Sequence, residues 1–161
     1  MAANENKVYL SKDDFYTQRN LANYLRFDCN YFNLVEYKEA CYICNGIGAY
    51  WFPEILRKAI NALLPELKPV AHNHDIGFSV GEESEECFKK INEAFKTNGY
   101  KMAKYKHAWY SPRRYRVMFC AWDFARLCQK YGWNTYLNGI RKYKAQKEAE
   151  LEAERLAETS M

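Results

Sequence analysis

The chain has 161 residues and no apolar run near the roughly 20 that a membrane-spanning helix requires. Its opening residues, Met1 to Lys7, are polar and have no apolar stretch behind them, so no secretory signal is read there. The expectation is a protein that is cytoplasmic as synthesised and held in a reducing compartment. In that setting Cys29, Cys41, Cys44, Cys87, Cys120 and Cys128 are free thiols or metal ligands rather than disulfides. Histidine is scarce, and two of the three sit one place apart at His72 and His74. Glycine is also scarce, at seven, and forms one tight cluster, Cys44-Asn45-Gly46-Ile47-Gly48. No internal repeat is visible.

What is present excludes a disordered tail. Apolar residues make up 48% and aromatics 17%, with fourteen tyrosines and four tryptophans. The length suffices for one domain with its own core. The net charge of +4 suits an anionic surface: lipid headgroups, nucleic acid or a viral assembly partner.

The pattern is mainly α. Ser11 with Asp13 and Asp14 reads as a helix start, and apolar spacing carries that helix to about Phe27. The span 31–42 reads as a short strand or an irregular lead-in. Pro53 opens a helix that stops near Pro65, and Pro69 opens the one carrying His74, broken at Gly81. The next starts around Ser84 and is closed by Asn98-Gly99. Ser111-Pro112 opens another, ended by Gly132. The reading divides the chain into a domain over 1–140 and a charged C-terminal helix or tail over 141–161, with a thin apolar seam at Leu151 and Leu156.

His74 and Asp75 are neighbours on a predicted helix, so their side chains point about 100° apart and cannot form a dyad with each other. They can serve one cleft in different roles. Histidine is a natural general base, and a carboxylate is a natural calcium ligand, since calcium takes oxygen donors that include backbone carbonyls. The glycine cluster could supply such carbonyls, which together makes a coherent site for metal-assisted ester hydrolysis.

Cys44-Asn45-Gly46-Ile47-Gly48, a helical insert, and then Ala71-His72-Asn73-His74-Asp75-Ile76-Gly77-Phe78 resemble the phospholipase A2 superfamily in its short, disulfide-poor bacteriophage and bacterial forms. The match runs from about Cys41 to Phe95. It implies an antiparallel helix pair, a glycine-rich calcium loop and flanking helices. It further implies lipid degradation, with His74 activating water and calcium (Ca2+) held by Asp75 and by carbonyls of Cys44, Gly46 and Gly48. Asn92 falls where the family has the aspartate that orients the histidine, and Phe78 where it has a tyrosine. The implied partners are a phospholipid membrane surface and, for a virion-associated copy, phage structural proteins; nucleic acid is not the expected partner.

Other readings stay open. The two departures suit a catalytically degenerate copy kept as a structural or virion component. Cys41, Cys44, His72 and His74 are four ligands of the right type for zinc, provided that 72–74 is strand or loop. Tyr105 to Arg116 is a basic aromatic stretch able to meet phosphates, bases or a lipid interface.

Overall fold

Ser11 caps the first helix as its sequence suggests, its hydroxyl accepting the Asp14 amide at 3.1 Å. The computed structural model describes residues 10–44 and 62–159. Of these 83% are helical, with six α-helices and no strand. They are α1 (Lys12–Tyr24), α2 (Tyr37–Ile43), α3 (Lys68–Val80), α4 (Glu85–Lys106), α5 (Pro112–Tyr131) and α6 (Trp133–Thr159). Two 3₁₀ turns, Tyr31–Leu34 and Pro65–Leu67, lead into α2 and α3. Of the predicted helix opened by Pro53 only the end, from 62 on, lies within the described residues, and 62–63 are helical.

The central unit is α3 with α4. Gly81 ends α3 and the Ser84 hydroxyl caps α4 by accepting the Cys87 amide at 3.2 Å. Residues 81–84 send α4 back along α3, so Gly77 lies against Ile91 and His74 meets Asn92. On the far side of α4, α5 approaches unusually closely at Gly99. A Cβ there would stand 2.4 Å from the Cβ of Ala121, so only glycine admits the crossing. α6 closes on α3 in the same manner, with Gly139 against the Phe78 carbonyl. The main core gathers Phe15, Phe32, Leu67, Val70, Ile76 and Met102; a smaller one holds Phe88, Ile91, Tyr136 and Ile140.

Two buried asparagines hold the segment after α1. Asn98 accepts the Asp28 amide at 2.8 Å and donates to its carbonyl at 2.9 Å. Asn73 accepts the Tyr31 amide at 2.8 Å and donates to the Cys29 carbonyl at 2.9 Å. Between and beside these bonds Arg26 and Cys29 take left-handed backbone angles, φ 51° and 48°, uncommon without glycine. Tertiary hydrogen bonds offset the cost of that turn.

Two expectations are corrected. The span 31–42 is no strand: a 3₁₀ turn at Tyr31–Leu34 and two extended residues lead into α2, which a reciprocal capping box of Glu36 and Glu39 starts. Asn98-Gly99 does not end α4. The Asn98 amide is turned inward and Gly99 sits under α5, so the helix continues to Lys106. Gly132 ends α5 as expected, and α6 begins at once at Trp133 and carries the charged residues from 141 on. Tyr115, Phe119, Trp122 and Leu127 on α5 are exposed. The buried face of α5 is Val117, Ala121 and Ala125. No described helix is long and apolar enough to cross a membrane.

Candidate functional site

His74 leaves the middle of α3 toward α4 and is buried. Its Nε2 lies 2.9 Å from Oδ1 of Asn92. The Asn92 amide is oriented by its other end: Nδ2 donates to the Phe88 carbonyl at 3.0 Å and to Oε1 of Gln129 at 3.3 Å. Both partners are acceptors, so the oxygen must face the histidine. An oxygen facing Nε2 requires the proton to be there, which leaves the lone pair on Nδ1, the nitrogen that can accept a proton.

The ring is packed by aromatics. Phe78 lies over it at 4.1 Å between centroids, and Phe95 meets it edge-on at 5.2 Å. Burial depresses the His74 pKa to about 4, and the Asn92 bond only partly counters this. The histidine is neutral at pH 7, ready to accept a proton but a weak base.

Asp75, next along the helix, is half-buried. Its negative charge reaches two thiols. Burial first, then Asp75, pushes the Cys44 thiol well above its usual value, and the same two causes bring Cys128 to about 12. Cys44 is the C-terminal cap of α2, and its thiol feels the charge of Asp75. Gly46 and Gly48 themselves lie outside the described residues.

The residues proposed for zinc are not brought together. The segment 72–74 is helical, so its two rings diverge. His72 Nδ1 meets Oε1 of Gln18 at 2.8 Å, while His74 meets Asn92. The Cys44 thiol donates to the His72 carbonyl at 3.7 Å and Cys41 to the Leu10 carbonyl at 3.6 Å. Among the described residues no three of His, Cys, Asp and Glu converge as a metal set.

Two features escaped the sequence reading. Gln129 fixes the orienting asparagine from 37 residues away; its only signal is the i, i+4 series Ala121, Ala125, Gln129, which marks the face of α5 turned to α4. The second is an ion cluster that joins the turn before α3 to His107 and to the start of α5. Glu66 Oε1 accepts from Arg113 Nε at 2.6 Å and from His107 Nε2 at 2.8 Å. Burial would raise this carboxyl, but those bonds outweigh it and hold the pKa at about 2.

No protein-family model, curated protein or solved structure matches this chain.

Proposed function

We propose that this chain is a phospholipase A2-like carboxylic ester hydrolase that acts on glycerophospholipid with calcium. The observation that carries the reading is the 2.9 Å contact between His74 Nε2 and Asn92 Oδ1 across two antiparallel helices. It joins a tautomer-fixed imidazole to the residue that the resemblance assigns as its orienter, with Asp75 adjacent in sequence.

The chain's own residues divide the work as follows. Nδ1 of His74 takes the proton from the water that attacks the ester carbonyl and returns it to the departing glycerol oxygen as the acyl C–O bond breaks, which releases the fatty acid. Asn92 holds the Nε2–H and, through its amide oxygen, steadies the imidazolium without bringing a charge. Gln129 and the Phe88 carbonyl hold Asn92, while Phe78 and Phe95 keep bulk water from the ring. Asp75, with carbonyls of Cys44, Gly46 and Gly48, would hold the calcium, whose positive charge favours the developing oxyanion.

The test is fatty-acid release from phospholipid micelles with and without calcium, by wild type and by His74→Gln. The expected outcome is calcium-dependent release, reduced by roughly 10²–10⁴-fold in the variant. A second reading, a catalytically silent copy with a structural role, is favoured by one observation: His74 is buried to a pKa of about 4 beside a neutral partner. A folded wild type that hydrolyses none of a panel of micellar phospholipids would select it.

A further inference from the structure

The outward face of α5 carries Tyr115, Phe119 and Trp122 at i, i+4 and i+7, with Leu127 beyond, all exposed. Phe119 is 62% exposed, a large apolar area to leave in water. Phe119 and Trp122 stack at 5.8 Å, and Trp109 and Tyr110 stand exposed just before the helix. Between these rings lie Arg116, Arg126 and Lys130, against the one acid of the helix, Asp123. The Arg126 guanidinium lies 5.4 Å from the centre of the Trp122 ring.

Beside this face α4 and α5 enclose an open cleft of about 330 Å³, lined by Lys89, Lys96, Trp122, Arg126 and Lys130, with Asn92 among its walls. Glu93, its one acid, pairs with Lys96, and Lys89 pairs with Glu85, so the positive charge of the cleft rests chiefly on Arg126 and Lys130. Rings that sit well between water and hydrocarbon, interleaved with cations, are the composition of a helix lying in the plane of an anionic membrane.

We infer that the outward face of α5 docks on a bilayer carrying anionic phospholipid, with the cleft between α4 and α5 taking a headgroup phosphate. The inference rests on the phospholipid reading above and names the surface by which the protein would reach its substrate. Charge complementarity selects the occupant: a cationic face suits an anionic surface, and flat exposed rings suit an interface that they can enter. Nucleic acid would satisfy the cations as well, and is the competing outcome.

The experiment is co-sedimentation of the full chain, as wild type and as His74→Gln so that turnover does not interfere, with vesicles of phosphatidylcholine alone or with 30% phosphatidylglycerol (roughly a third anionic, enough to give a strong surface potential). Binding is expected only to the anionic vesicles. Arg126→Gln with Lys130→Gln should weaken it by about 25-fold, roughly fivefold for each cation removed. Phe119→Asp should weaken it at unchanged helix content by circular dichroism. Equal binding to both vesicles, or unchanged binding in these variants, overturns the inference. So does tight binding to single-stranded RNA with none to vesicles. If no vesicle binds yet monomeric short-chain phospholipid is hydrolysed, the docking surface is wrong and the hydrolase reading stands. If anionic vesicles bind as expected but nothing is hydrolysed, the surface stands and the hydrolase reading fails.

Discussion

His74 sits in a conflict that a single residue could resolve. Burial holds its pKa at about 4, and the amide oxygen of Asn92 offers a dipole where a charge would do more. Asn92→Asp should raise the His74 pKa by about 1–3 units, since an opposite charge at hydrogen-bond distance favours the imidazolium. Histidine proton resonances followed against pH would read this directly. Combined with Phe78→Tyr, which returns a hydroxyl to the pair, the change should also raise hydrolysis, or create it in a silent parent. No rise in pKa would mean that the two side chains do not meet in solution. At the next residue, Asp75→Asn should reduce calcium affinity by calorimetry at least tenfold, and equal affinity would remove Asp75 from the cation site. The short motif made His74, Asp75 and Asn92 visible as candidates. It could not show Gln129, because an amide 37 residues away leaves no local spacing to read.

Among the helices, glycine carried two opposite meanings. Gly81 and Gly132 end helices, as expected from sequence. Gly99 looks the same on paper, preceded by an asparagine, yet it lies inside α4. What separates them is the partner, Ala121 of α5, whose distance from Gly99 along the chain hides it from any local rule. Gly99→Ala should therefore destabilise the protein by about 1–3 kcal/mol despite alanine's better helix propensity, because two packed backbones must part. A urea midpoint equal to or above that of wild type would show that α4 and α5 do not cross so closely. The mainly helical content, the cap at Ser11 and the start of α4 at Ser84 were legible because caps and helical periodicity are local. The faces of α5 were not: rings and arginines alternate around it, and only the docking of Ala121 and Ala125 decides which side is wet.

Across the whole molecule, two buried histidines tie stability to pH. His72 is depressed to about 4 by burial, with Lys68 adding to the effect, and His74 lies equally low. Unfolding returns both toward 6.5, so the unfolded chain binds more protons between those values. Their contribution is complete above pH 6.5 and is lost as pH falls through 4, about 3 kcal/mol for each. The urea midpoint should fall steeply from pH 7 to pH 4.5, and less steeply in His74→Gln; parallel profiles would refute the assignment. The asparagine clamp bears on the order of assembly. Asp28 and Tyr31 are held by side chains 70 and 42 residues further along the chain, on α4 and α3. Loops of that length close slowly and gain nothing until their far ends arrive. The left-handed turn at Arg26 and Cys29 is therefore a late event in folding, waiting on a helix pair that forms without it. In hydrogen exchange the Asp28 and Tyr31 amides should open at a lower free energy than those of α3 and α4, and Asn98→Ala should release Asp28 further while leaving the helix pair protected.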